Sequence, residues 1–124
     1  IYSTGEIVMA MINGTLIGRV GGDPVTRQVG DNKSVTEIQV AYENRRSANP
    51  KTEWIKVECW NGLGTNIVGK YVRKGDRVAV TYNDVRTEAY LNRDGEPASK
   101  LVIRAVNVEL LSDRQSNDNN QPDF

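Results

Sequence analysis

The segment Thr-Glu-Trp-Ile-Lys-Val-Glu-Cys-Trp, residues 52–60, alternates between two kinds of side chain without interruption. Successive side chains of a β-strand point to opposite faces, so this alternation predicts a strand with two different faces. The odd-numbered positions carry side chains that are typical of a protein interior: Ile55, Val57 and Cys59. This face of the strand is therefore predicted to lie against the core.

The even-numbered face carries both tryptophans of the chain, Trp54 and Trp60, together with Lys56 and Glu58. A face with charges at alternate positions is normally solvated, and two large indoles on such a face require an explanation. Flat aromatic rings beside cations form a platform on which unstacked bases can bind. The alternative is that a loop or a partner subunit covers one or both rings. Glu58 would repel phosphate, so a bound strand is expected to avoid it.

The composition excludes several kinds of functional site. The chain has 124 residues, which suits one domain with its own core. It contains one cysteine and no histidine, so an internal disulfide, a zinc site and histidine-based catalysis are not expected. No apolar run has the length of a membrane-spanning helix, and the first residues do not resemble a secretory signal.

The charge is distributed unevenly although the net charge is zero. Residues 112–124 contain three Asp and one Arg, and residues 1–10 contain one Glu, so residues 11–111 carry a net charge of +3. The body of the chain is therefore mildly basic and its end acidic. This asymmetry is compatible with a nucleic-acid partner and equally with an ordinary mixed surface.

The polarity pattern predicts an all-β fold. Strands are expected at residues 11–20, 34–42, 52–60, 77–90 and 100–111, with a short edge piece at 25–29. Glycines inside the first strand indicate a bend or bulge, and the run from Asn92 to Pro97 predicts a hairpin turn. Three strands, one short helix and two further strands are the plan of a five-stranded OB-fold barrel, here with a long β-hairpin. Other small barrels have similar strand counts.

Residues 61–71 change to helical spacing and predict a short helix with Tyr71 on its buried side. Asn61 is placed to cap the first turn. Tyr42 and Tyr82 are predicted to lie at the rim of the core.

Three segments are distinguished along the chain. Residues 1–10 form an extension of uncertain status, which either continues the first strand or precedes a natural start at Met11. Residues 11–111 are predicted to form the OB-fold domain. Residues 112–124 have no apolar side chain before Phe124 and are predicted to be a disordered acidic tail.

Four segments in order resemble motifs of the bacterial single-stranded-DNA-binding proteins. They are Gly-Arg-Val-Gly-Gly-Asp-Pro at 18–24, Thr-Glu-Trp at 52–54, Tyr-Val-Arg-Lys-Gly-Asp-Arg-Val at 71–78 and Val-Arg-Thr at 85–87. The resemblance covers about residues 11–111. It implies a non-enzymatic OB-fold protein that binds single-stranded DNA without sequence preference and without a cofactor. Such a protein protects and organises exposed strands in replication, recombination and repair, is cytoplasmic and nucleoid-associated, and forms a homotetramer.

The resemblance also implies the roles of individual residues. Bases would stack on Trp54, Trp60 and Tyr90; Trp60 replaces the usual phenylalanine, and Tyr90 falls near a hairpin tryptophan of the family. A further family tryptophan has no equivalent here. Phosphate contacts or further stacking would come from the basic residues Lys56, Arg45, Arg46, Arg73, Lys74, Arg86 and Arg104.

The end of the chain resembles the family's partner-binding tail, which is acidic and ends in Pro-Phe. Here Asp123 separates Pro122 from Phe124. The resemblance implies that these three residues dock replication and repair proteins, and the altered ending makes an inert tail the alternative.

Two other functions are compatible with this fold. One is an OB-fold module for protein interaction, such as a primosome accessory protein, with weak nucleic-acid binding. The other is a nuclease, which would need several carboxylates converging on a metal ion. The acidic residues are scattered, and Asp84 and Glu88 are the only close pair on a predicted strand. No metal site is therefore expected.

Overall fold

The computed structural model describes residues 11–46 and 48–112. These residues form six strands: β1 (Gly14–Val20), β2 (Val25–Gly30), β3 (Lys33–Asn44), β4 (Lys51–Trp60), β5 (Arg77–Leu91) and β6 (Pro97–Ser112). The predicted all-β OB-fold is confirmed. The closed barrel has the five predicted strands, β1, β3, β4, β5 and β6. The predicted edge piece is β2, which lies outside this ring and pairs antiparallel with β3 from Val25↔Glu37 to Gly30↔Lys33.

The sheet closes into a barrel through its first strand. The strand order is β1-β5-β6-β4-β3-β2, and β1 also pairs with β3 at Arg19↔Ala41 and Val20↔Val40. The β4–β6 pair is parallel, and the other pairs are antiparallel. Closure brings the two backbones so near that a Cβ on Gly18 would collide with the Ala41 carbonyl oxygen. Gly18 therefore permits the close approach of β1 to β3. The bulge that the glycines suggested is not present in the β1–β5 pairing, whose register is continuous from Gly14 to Arg19.

The predicted helix is present as a π-helical segment, Leu63–Val68, followed by the short helix α1 (Gly69–Tyr71). The capping prediction for Asn61 is wrong: its backbone has a φ of 51°, and its side-chain Oδ1 accepts a hydrogen bond from the Ser34 N–H at 3.2 Å. Tyr71 was also expected in the core, but it is 58% exposed.

The core lies inside the barrel and is rich in valine. The face of β4 that was predicted to be internal is buried: Ile55, Val57 and Cys59. Burial, together with the neighbouring Glu58 charge, raises the pKa of the Cys59 thiol to about 12, so this thiol is unreactive at neutral pH. Tyr42 and Tyr82 are partly buried and pack against the core, which confirms their predicted position at its rim.

Two of the motifs noted in the sequence meet in space. Asp23 accepts a hydrogen bond from the Lys74 N–H at 2.9 Å, and the Gly75 N–H donates to the Val20 carbonyl at 2.8 Å. Gly75 has a φ of +93°, a conformation that disfavours any side chain. The Gly-Gly-Asp-Pro turn and the Lys-Gly turn are therefore parts of one structural junction between β1 and β5.

The long hairpin is also present. β5 and β6 pair out to Leu91↔Pro97, and Asn92 Oδ1 accepts hydrogen bonds from the N–H groups of Asp94 and Glu96, both at 2.9 Å. No helix in the described part of the chain is long and apolar enough to cross a membrane. The expected N-terminal extension lies outside the described residues, as does the expected tail beyond Ser112, where β6 ends.

Candidate nucleic-acid interface

The outer face of the barrel sheet carries the even-numbered residues of β4. The β3–β4 register places Trp54 opposite Ala41, a small residue, and the indole remains 52% exposed. A Cβ on Gly21 would collide with the Trp54 ring, so the indole lies against the backbone of the β1–β2 turn. Gly21 thus lets the turn approach the ring from one side while solvent reaches the rest of it.

Trp60 lies at the other end of β4 and is partly buried. The Arg104 guanidinium of β6 lies 5.4 Å from the centre of its ring, which is a cation–π contact. At about 3.3 Å per residue, the two tryptophans are separated by roughly 20 Å along the strand. Bases stacked on them would be several nucleotides apart.

Tyr90 lies near the end of the hairpin and is exposed. The Lys100 ammonium lies 5.5 Å from the centre of the Tyr90 ring. This cation was not among the residues selected from the sequence. The positions of Lys100 and Tyr90 in the sequence do not indicate that they are in contact. The contact depends on the β5–β6 register, in which Glu88 faces Lys100 and Tyr90 faces Ala98.

An ion-pair network occupies the centre of the same face. Its contacts are Lys56–Glu37 at 3.2 Å, Lys56–Glu88 at 3.3 Å, Arg86–Glu88 at 3.2 Å, Arg86–Glu58 at 2.7 Å and Arg27–Glu37 at 3.0 Å. Three cations face three carboxylates, so the network has no net charge. The Lys56 side chain is only 13% exposed. Lys56 and Arg86, both selected as phosphate contacts, are therefore neutralised by carboxylates in this structure.

The network shifts the pKa values of its members toward the charged forms. Burial raises the pKa of Glu37, but hydrogen bonds from Arg27 and Lys56 outweigh burial and lower it overall. Desolvation also raises the pKa of Glu88, but the hydrogen bonds and charges of Lys56 and Arg86 together outweigh it and lower the pKa overall. Burial lowers the pKa of Lys56, whereas Glu37 and Glu88 raise it on balance. The Glu58 carboxylate holds the pKa of Arg86 above its ordinary value.

The other selected cations lie at the edges of this face or away from it. Arg45 and Arg46 are exposed beyond the end of β3, where Arg45 pairs with Glu43 at 2.7 Å. The Arg73 guanidinium donates hydrogen bonds to the carbonyls of Gly69 and Val72, so this side chain caps the C-terminal end of the helix. Lys74 is exposed in the junction with β1.

A second basic region was not found from the sequence. An open groove of about 420 Å³ is lined by three arginines, Arg19, Arg45 and Arg77, beside Glu43. Arg19 and Arg77 are register partners on β1 and β5, and Arg45 joins them only because β1 closes onto β3. These three arginines are distant in the sequence and come together only when the barrel closes, so the sequence alone could not predict the cluster.

No group of three or more acidic or cysteine side chains in residues 11–46 and 48–112 is arranged to hold a metal ion. Glu88, one of the two carboxylates considered for a nuclease, is held by Lys56 and Arg86.

The fold and this surface define a small OB-fold domain that presents exposed aromatic rings beside cations. The sequence model of the Single-strand binding protein family matches residues 11–111, and the chain belongs to that family. The resemblance drawn from the four motifs is thereby confirmed.

Two relatives and one solved structure illustrate the similarity. The chain is 34% identical over 111 residues to single-stranded DNA-binding protein 1 of Nostoc sp., covering 89% of this chain and 91% of the relative. It is 31% identical over 100 residues to the single-stranded DNA-binding protein of Chlamydia caviae, covering 81% and 61%. A crystal structure of the mitochondrial single-stranded DNA binding protein from S. cerevisiae superposes with a TM-score of 0.61 at 22% identity, covering 83% of this chain and 97% of that one. This last likeness supports the fold.

Proposed function

We propose that this protein binds single-stranded DNA with little sequence preference and protects and organises exposed strands in replication, recombination and repair. The observation that carries the proposal is Trp54, a large indole that stays half exposed on the outer face of β4, whereas Ile55 and Val57 on the inner face are buried. Its relatives are named for single-stranded DNA binding. Base stacking tolerates any sequence because every base has an aromatic face.

Stacking is proposed at Trp54, Trp60 and Tyr90, three rings on the outer face and its hairpin. Each of the last two already has a cation against its ring, Arg104 or Lys100. A base at these positions would meet both an aromatic plane and a positive charge, a combination that suits a stacked nucleotide with its phosphate.

Phosphate contacts are proposed first for the exposed cations that border the face: Arg45, Arg46, Lys74 and Arg104. To bind a phosphate, Lys56 or Arg86 would have to break an ion pair with a glutamate of the network. That glutamate would then lack its partner, which is unfavourable. Arg73 would have to leave two backbone carbonyls. These three therefore contribute less to affinity in this proposal than their charge alone suggests.

The test is a titration of intrinsic tryptophan fluorescence with oligo(dT). Strong quenching that saturates supports stacking on the indoles, and it should be lost in large part in Trp54→Ala. Tyr71→Ala is the matched control, because Tyr71 is an equally exposed aromatic residue on α1 and outside the proposed site. Unchanged emission at saturating strand would favour the alternative, an OB-fold protein-interaction module.

Assembly and partner binding extend the proposal. The family leads us to expect a homotetramer, and light scattering measures its mass directly. We expect it to act without a cofactor and without enzymatic activity, on exposed DNA in the cytoplasm and the nucleoid.

The tail residues Pro122, Asp123 and Phe124 are proposed to dock replication and repair proteins. Removing residues 113–124 should leave the fold and the assembly intact, and DNA affinity unchanged or slightly higher at low salt, because an acidic competitor is lost. Several-fold weaker DNA binding would show that the tail belongs to the binding site.

A further inference from the structure

An open groove of about 510 Å³ lies beside Trp60. Apolar and aromatic surface comes from Trp60 and Leu63, and the polar groups are Asn61, Asn83, Asp84 and Arg104. An indole beside several hydrogen-bonding side chains suits a planar heterocycle that has a hydrogen-bonding edge.

The charges in this groove are arranged in an unexpected way. Arg104 is the direct register partner of two carboxylate residues, Glu58 on β4 and Asp84 on β5. Opposite charges at such positions ordinarily pair. Glu58 instead accepts two hydrogen bonds from Arg86, and the Arg104 guanidinium lies over the Trp60 ring. Among the ion pairs of the described residues, none involves Asp84.

Asp84 therefore places an exposed carboxylate with two acceptor oxygens at the border of an aromatic groove. A carboxylate repels phosphate, so the part of a DNA strand that fits here is a base rather than the backbone. An ionised carboxylate only accepts hydrogen bonds, and its two oxygens best match two neighbouring N–H donors.

We infer that this groove favours guanine at one position of a bound single strand, an inference that rests on the proposed function and adds a local preference to it. Guanine alone has two adjacent donors on its Watson–Crick edge, N1–H and the N2 amino group. Thymine flanks its single N–H with two carbonyl oxygens, and in adenine and cytosine the amino group adjoins an acceptor ring nitrogen. The guanine ring stacks on the Trp60–Arg104 surface, its donors reach Asp84, and its O6 accepts from an amide of Asn61 or Asn83.

The experiment compares oligonucleotides that differ at one base. The host is an oligo(dT) of about 16 nucleotides, and its central base is replaced by guanine, hypoxanthine, cytosine or adenine. Hypoxanthine retains N1–H and lacks only the N2 amino group. Competition binding at one fixed salt concentration gives the ratio of each Kd to that of the host. Guanine is expected to bind about five- to tenfold more tightly than thymine, and hypoxanthine to lose most of that gain.

Two variants assign the effect to the carboxylate. Asp84→Asn keeps the size of the side chain but has one acceptor in place of two, so the guanine-to-thymine ratio should fall to about one. Asp94→Asn makes the same change of charge on the hairpin turn, ten residues further along the chain, and should retain the ratio.

Equal Kd values for guanine and thymine in the unaltered protein would overturn the inference, and so would a guanine preference that survives Asp84→Asn. Both results would leave the proposed function standing as long as the oligo(dT) host binds. Failure of every oligonucleotide to bind would reject the proposed function and this inference with it.

Discussion

Arg86 on β5 reaches across β6 and donates two hydrogen bonds to the carboxylate of Glu58 on β4, at 3.1 and 2.7 Å. Val102 lies between the two strands in register with Arg86 and is fully buried. The Glu58 side chain is only 4% exposed, whereas Arg86 remains 44% exposed. The negative charge of the buried Glu58 carboxylate is thus balanced by one guanidinium, that of Arg86, which is itself partly solvated.

Removing this guanidinium should destabilise the fold. Arg86→Ala leaves Glu58 charged, buried and unpaired, and a broken buried ion pair costs about 3–5 kcal/mol. Because Arg86 is partly solvated, we expect a smaller loss than this, about 2–3 kcal/mol of unfolding free energy, measured by urea denaturation. Arg45→Ala is the control, since it removes a solvent-exposed pair worth less than about 1 kcal/mol. Equal loss in the two variants would contradict this account of Glu58.

Stability should decrease on both sides of a neutral plateau. The folded-state pKa values of Glu37 and Glu88 are lowered, so their contribution is fully present above the ordinary value of 4.5 and is lost as the pH falls through the folded values. The pKa of Lys56 is raised above 10.5, so its contribution is lost as the pH rises beyond that value. Urea midpoints measured across pH test this. In the double variant Glu37→Gln, Glu88→Gln the acid limb should be shallower, and an unaltered limb would show that other carboxylates control it.

Trp54→Ala should weaken binding to oligo(dT) by about 1–3 kcal/mol, the range for the loss of one stacked base. The unfolding free energy should change little, because half of the indole is already exposed. A variant that fails to fold would instead show that the ring serves the core. Equilibrium titration and thermal unfolding of the same preparation separate the two outcomes.

Gly21 and Gly22 provide a matched pair on the β1–β2 turn. A Cβ at Gly21 collides with the Trp54 ring, whereas a Cβ at Gly22 meets nothing within 4 Å. Gly21→Ala should therefore displace the indole, shift tryptophan emission and weaken oligo(dT) binding. Gly22→Ala should change neither property. Identical behaviour of the two variants would mean that the turn does not position the ring.

Affinity for poly(dT) should fall linearly with salt concentration on logarithmic axes. If Arg46 contacts a phosphate, Arg46→Ala should reduce the magnitude of the slope by about 0.7, the value for one contact to a single strand. Lys33→Ala removes the same charge at the β2–β3 turn and should leave the slope unaltered. A salt-independent affinity would mean that the cations do not contact the backbone.

Much of the fold could be predicted from the sequence because its signals are local. The alternation of residues 52–60 identified the buried side of β4, and the run from Asn92 to Pro97 identified the hairpin turn. Local signals failed at Asn61, whose side chain accepts a hydrogen bond from the backbone of β3 instead of capping the helix. They failed also at Tyr71, whose helical spacing predicted burial but whose side chain is exposed.

The sequence by itself determined that one face of β4 enters the core and that the other carries two indoles among charges, because side-chain alternation depends on neighbouring residues alone. Only the tertiary structure decided which charges remain available to a ligand. Lys56 and Arg86 are neutralised by carboxylates from three strands, and the Arg104 guanidinium lies over the Trp60 ring. Asp84 takes part in none of the ion pairs within residues 11–46 and 48–112. These partners depend on the register between strands that are distant in the chain, and barrel closure sets that register.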